Sequence, residues 1–179
     1  MGAAAVAGSI GLVGGSVSFA IAEATNVISN DVHAYVQSST VTTTNGDVHV
    51  GALQNATITS SAEAGSIAAS VSIGFAIAGG GALANSTILT STKAYVADSS
   101  LAVDGDIDID ATAKTTATSL VGATSVSIGL ISFAASGSAA TATVTPTVEA
   151  YISSSNVTAN DIDVLAVAMP RAVTEARGF

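Results

Sequence analysis

This sequence predicts an all-β fold, a repetitive β-solenoid (β-helix-like) built from three repeats of about 56–60 residues, and three observations carry that prediction. The first is triplication. Ala34-Tyr35-Val36, Ala94-Tyr95-Val96 and Ala150-Tyr151-Ile152 each lead into a serine-rich stretch, then into Gly46-Asp47-Val48-His49-Val50, Gly105-Asp106-Ile107-Asp108-Ile109 and Asn160-Asp161-Ile162-Asp163-Val164. The tyrosines lie 60 and 56 residues apart. The second is alternation: Ile67, Ala69, Val71, Ile73, Phe75 and Ile77 share one parity, and Ala68, Ser70, Ser72, Gly74, Ala76 and Ala78 the other. A period of two belongs to strands, because a helix would scatter both sets. The third is a turn whose length varies while its flanks persist: seven positions from Val41 to Val48, six from Leu101 to Ile107, five from Val157 to Ile162. Exposed corners tolerate such changes and strand ladders do not.

Each repeat opens with a smooth strand. Val17, Phe19 and Ile21 alternate with Ser16, Ser18, Ala20 and Ala22 in the first unit, as the larger and smaller residues do in the second. The small face is either thinly covered against solvent or packed closely on a second layer. The second reading is preferred, because so smooth a surface resists self-association poorly. A second strand follows through the Ala-Tyr-Val segment. Next comes a corner, where Asn45-Gly46 and Asp104-Gly105 supply residues suited to positive φ. A two-residue hairpin at Asp104-Gly105 would put Leu101 and Val103 on one face with Asp106 and Asp108, so a solenoid corner is expected instead. The aspartate-led strand and a Thr/Ala strand, Ala56-Thr57-Ile58-Thr59 or Thr115-Thr116-Ala117-Thr118, complete the unit. Rungs of roughly 20–30 residues would make each unit two or three rungs, and the three units roughly 30–45 Å tall. The chain reads as one repetitive domain, 1–179, with repeats at 4–63, 64–122 and 123–179. Pro170 falls where the earlier units continue as strand, so the fold is expected to end or fray there.

Composition narrows the function. Of 179 residues, 49% are hydrophobic and only 9% charged, against about 25% charged in ordinary soluble domains. Ser, Thr, Asn and Gly must cover the surface instead. The net charge is −9, and no Lys or Arg precedes Lys93. Nucleic-acid binding needs clustered cations, so no nucleic-acid partner is expected. The same balance disfavours anionic membranes. No run approaches an uninterrupted apolar span of about 20 residues, so no membrane insertion is expected. Cysteine is absent, which removes disulfides and thiolate metal sites. The apolar start has no basic residues of the kind a signal peptide carries, and the chain reads as a piece of something longer.

The order of a Gly/Ala/Val/Ser strand, an Ala-Tyr-[Val/Ile] segment with trailing serines and a Gly-Asp-[Val/Ile] strand resembles the repeats of giant bacterial filamentous surface proteins, the haemagglutinin-like and leukotoxin-type adhesins. The likeness spans about residues 4–168. It implies a β-solenoid, an extracellular or cell-surface bacterial location, a fibrous shape and a role in adhesion. It brings no catalytic residues. The secretion domain and C-terminal anchor expected of a complete member have no counterpart here.

Candidate sites are few. Asp104, Asp106, Asp108 and Asp110 alternate and are expected to project from one face. Asp47, Asp161 and Asp163 take equivalent places in the other units. Stacked carboxylates of this kind suit Ca²⁺, an oxygen-seeking ion; equally, they resist sheet association by charge. His33 and His49 occupy non-equivalent places and are not expected to bind metal. No nucleophile elbow, phosphate loop or aromatic-lined carboxylate pair is present, so no enzyme is expected, and no cofactor beyond that calcium candidate. Tyr35, Tyr95 and Tyr151 recur at one position and are expected to stack; an outer binding stripe and an inner ladder are the alternatives, and the flanking apolar residues favour the inner one. Gly46 and Gly105 mark the corner. The expected role is a structural repeat segment of a fibrous or adhesive protein that self-associates through sheet faces or open ends. A host or neighbouring cell surface, or its glycans, is a further expected partner. A calcium- or carbohydrate-binding solenoid module is the alternative.

Overall fold

The computed structural model describes residues 1–10, 13–71 and 73–179; Ser72, part of the alternation above, lies outside them. The described chain forms ten strands: β1 (Gly2–Ser9), β2 (Ser16–Gln37), β3 (Thr40–Thr42), β4 (Val48–Ser70), β5 (Phe75–Ala97), β6 (Ser100–Ala102), β7 (Ile107–Ile128), β8 (Ile131–Ser153), β9 (Asn156–Thr158) and β10 (Ile162–Gly178). All pairings are parallel, in sheets ordered β1-β4-β7-β10, β2-β5-β8 and β3-β6-β9. Equivalent residues stack. Tyr35 pairs with Tyr95 and Tyr95 with Tyr151, Val48 with Ile107, and Ile107 with Ile162. The repetitive all-β solenoid read from the sequence is the fold.

One sequence repeat is one rung, not two or three. The smooth and tyrosine segments expected as separate strands are continuous in β2, β5 and β8. The aspartate-led and Thr/Ala segments fuse likewise in β4 and β7. Turn-prone residues do fall in these joins, Asn30-Asp31 in β2 and Gly79-Gly80-Gly81 in β5, but the strands run through them and alternation continues over 22 or 23 residues. Each long strand is therefore about 75 Å long, and the four-stranded sheet only about 14 Å tall, rather than the 30–45 Å expected. The molecule is a broad, thin plate: two long sheets face each other, closed at one end by the short β3-β6-β9 sheet and, between β7 and β8, at the other by the tight Gly129-Leu130 turn.

The core between the sheets is banded along its length. Next to the short sheet it is branched and aliphatic, with Val96, Leu101, Ile107 and Ile109 fully buried. Ile58 and Ile88 form a smaller cluster further along. Between them Thr92 donates to Gln54 Oε1 at 2.6 Å. Beyond Ile88 a chain of hydroxyls crosses the gap: Ser119 donates to Ser86 at 2.8 Å and Ser86 to Ser60 at 2.7 Å. From there to the turns the interior is almost entirely Ala, Ser and Gly. Here the small face is the inner one, as the close-packing alternative held. A Cβ on Gly80 would lie 3.0 Å from the Thr124 carbonyl oxygen on the opposite sheet, so the sheets approach too closely for larger side chains. The large residues of the same segment, Phe19, Ile21, Ile67 and Phe75, consequently point outward and are exposed.

The corner behaves as the turn-length series requires. Register offsets change by one residue across it in successive rungs, and β6 and β7 belong to different sheets, so no hairpin forms at Asp104-Gly105. Gly46 has φ +145°, but Gly105 does not take a positive φ. Gly105 is small because a Cβ there would sit 2.7 Å from the Gly46 carbonyl and collide with the Asp47 carboxylate. The expected fray at Pro170 does not occur: β10 runs through it, paired with Thr115. Pro170 and Pro146 lie on β10 and β8, the edge strands, where a missing N–H can face away from the ladder.

Candidate functional site: stacked ladders at the corner

The richest concentration of polar chemistry lies where the tyrosine strands turn into the short sheet. Ser38, Asp98 and Ser154 stack there with φ of 51°, 50° and 48°, the left-handed region that small polar residues tolerate best. The next residue in each rung is serine. The hydroxyls of Ser39, Ser99 and Ser155 donate to the carbonyls of Gln37, Ala97 and Ser153 at 2.7–2.8 Å. The Ser39 amide donates to the Ser99 hydroxyl, and the Ser99 amide to the Ser155 hydroxyl, both at 3.1 Å. One hydroxyl per rung thus holds its own turn and joins it to the neighbour. The serines were visible in the repeat; the left-handed residue before them was not, although a Ser or Asp at one repeated place was its signal.

The tyrosines form the stack the repeat predicts, with ring centroids 5.3 and 5.0 Å apart and interplanar angles of 12° and 5°. They stand on the outer face, not inside. Ala94 and Val96 take the inward positions and are fully buried, and strict alternation then sends Tyr95 outward. Beside them Lys93 on the second rung donates to Glu149 on the third at 2.8 Å. That hydrogen bond to the carboxylate holds the Lys93 ammonium above lysine's ordinary pKa, against the opposing effect of desolvation.

The aspartates divide by position. Asp108 and Asp110 alternate with buried Ile107 and Ile109 and face outward on β7; Asp104 and Asp106 precede the strand in the corner. The four therefore do not form a single face. Asp47, Asp106 and Asp161 stack as the repeats align them. The Asp47 carboxylate accepts from the Asp106 amide at 3.0 Å, and that of Asp161 from the Ile162 amide at 2.9 Å. These carboxylates work as caps for corner amides. His49 Nδ1 lies 3.7 Å from Asp110 Oδ2 on the exposed outer face, while His33 stands level with Lys93. Among the described residues no three His, Asp or Glu side chains gather closely enough to hold a metal ion.

What the arrangement does chemically is join one rung to the next. The serine, tyrosine and Lys93–Glu149 contacts link equivalent residues, and Ser38, Ser39, Asp98, Ser99, Ser154 and Asn156 also line a wide, shallow depression at the corner. No protein-family model, curated protein or solved structure matches the chain.

Proposed function

We propose that this chain is a structural repeat segment of an extracellular, fibrous or adhesive bacterial protein, and that it self-associates by adding further rungs edge on edge. One observation carries the reading. Ile109 in the second rung is fully buried, whereas its stacked counterpart Val164 in β10 is 40% exposed. The core stripe is thus uncovered at the edge, as a solenoid without a polar cap leaves it. The corner supports the same reading, because the Ser39 hydroxyl and the Ser155 amide are the unmatched halves of one repeating hydrogen bond among the described residues. Such halves complement each other head to tail, and an unclosed head-to-tail contact gives filaments. The surface location rests on the resemblance of the repeats to those of filamentous adhesins.

Electron microscopy and sedimentation velocity of the purified protein test the proposal. Filaments at micromolar concentration are expected, and Val164→Lys, which puts a charge on the uncovered edge, should shorten or abolish them while strand circular dichroism persists. A wild-type protein that stays monomeric at all concentrations would reject it.

A further inference from the structure

We infer that the end of the plate opposite the corner is a lipid-inserting edge that enters one leaflet of a zwitterionic bilayer. The inference rests on the stacking of rungs proposed above, because unpaired strand edges are not tolerated in hydrocarbon. A stacked array leaves them only at its two ends.

The observation is inverted polarity. At this end Phe19, Ile21, Phe75 and Phe133 face outward from one sheet, and Ile67 and Ile128 from the other, with exposures between 45% and 79%. The turn itself carries Val71 and Leu130, 79% and 76% exposed. The inward positions carry hydroxyls instead: Ser16, Ser18 and Ser66 are buried and their Oγ atoms have no hydrogen-bond partner. Apolar outside and small or polar inside is the pattern of strands surrounded by lipid. The exposed apolar surface wraps both broad faces and the turn. A second protein applied to one face would leave the other bare, whereas a bilayer surrounds all three. The aromatic rings are also accommodated as outer surface. Phe19 lies where a Cβ on Gly79 would be, so the next rung gives up its own side chain to seat the ring.

Depth and charge fix the kind of lipid. The first ionisable outward residues are Glu23 on β2 and Glu63 on β4, with Arg177 on β10 level with Glu63 through Gly122. β5, β7 and β8 carry no ionisable residue nearer the turn than Lys93, Lys114 and Glu149, while between that belt and the turn β2 and β4 each have seven charge-free residues, 16–22 and 64–70, or about 23 Å. This exceeds one leaflet, about 15 Å, and falls short of the roughly 30 Å hydrocarbon core. The edge therefore enters from one side without crossing. A net charge of −9 and an acidic belt favour zwitterionic over anionic lipid. This departs from the sequence-based expectation of no membrane insertion, which looked for a continuous apolar run and could not see which parity faces out.

The chain contains no tryptophan, so a single introduced one reports its own surroundings. Phe75→Trp places the probe on the proposed edge, and Leu53→Trp, also outward and exposed, near the corner end. With phosphatidylcholine vesicles the first should shift to the blue and be quenched by brominated lipid, and the second should do neither. In flotation, wild type should rise with the vesicles, and Phe19→Ser/Phe133→Ser should lose about tenfold or more of that binding. Filaments that do not float overturn the lipid edge and leave stacking standing. Floating monomers with the same Phe dependence overturn stacking and, with it, the stacked lipid edge inferred here. Quenching of both probes overturns edge-on insertion. Loss of bundling in the double variant, with no wild-type flotation, would make the face a contact between copies and overturn the proposal.

Discussion

The amide of Ser39 donates to the hydroxyl of Ser99 across 3.1 Å, from one repeat to the next, while that hydroxyl donates to the Ala97 carbonyl at 2.7 Å. A single side-chain oxygen therefore serves two backbone groups at a left-handed bend. Ser99→Ala leaves both without it, with the site only 6% exposed, and is expected to cost about 1–3 kcal/mol. Ser39→Ala removes an exposed bond and no cross-rung acceptor among the described residues, and should cost markedly less. Urea unfolding of the two variants checks the difference.

Gly105→Ala is expected to destabilise by about 1–3 kcal/mol, although φ at this residue is not positive. The new methyl would meet the Gly46 carbonyl and the Asp47 carboxylate, which caps the Asp106 amide. Gly46→Ala meets no atom within 4 Å but must adopt φ +145°, so its cost is strain alone. In Gly105→Ala/Asp47→Ala the relief should be partial, because the Gly46 carbonyl remains. Thermal unfolding of the set distinguishes these costs.

Position in the stack should set the cost of truncating equivalent residues. Ile109→Ala opens a cavity in a fully buried band and should cost about 2–5 kcal/mol. Val164→Ala, at the stacked place but 40% exposed, should cost under about 1 kcal/mol in the monomer. If rungs stack between copies, Val164→Ala also weakens assembly. Denaturation below and above the assembly concentration reads both effects.

Lys93 has its pKa raised above the ordinary 10.5 by its bond to Glu149. A raised cation stabilises the folded state fully below its unfolded value and loses that contribution as pH climbs through the folded value. Wild type and Lys93→Met should therefore differ by a constant small amount from neutral pH to about 10 and converge above it. Thermal midpoints of both proteins from pH 7 to 12 test this.

Metal should not matter to the corner. The Asp47 and Asp161 carboxylates already accept backbone amides, and no three potential ligands gather among the described residues. Millimolar Ca²⁺ or a chelator is expected to leave the thermal midpoint unchanged.

Much of the architecture was legible because repetition reports register directly. Matching Tyr35, Tyr95 and Tyr151 by eye gives the pairing found in space, and the shortening corner gave the bend between β6 and β7. The small face was read as close-packed on a second layer, and near the turns Ala20 and Ala68 do point in while Phe19 and Ile67 point out. Alternation shows that two faces differ and does not say which is inside; only the distance between the sheets, set by Gly80 opposite Thr124, decides it. The tyrosine ladder went outside for the same reason of parity. Rung length misled because Ser29-Asn30-Asp31, between Val27 and Tyr35, has turn chemistry yet is carried as strand, and a strand of 22 residues lies well beyond the usual range. Pro170 misled because tolerance of proline depends on whether a strand has a neighbour on both sides, which a linear pattern does not state.

A rung this wide makes reach expensive in chain. Nearly sixty residues are consumed for each step of about 4.8 Å along the axis, so a thousand residues would climb only about 80 Å. The same thousand would present a wall about 75 Å across, carrying parallel rows of like residues on both faces. Chain of this design covers ground better than it spans distance.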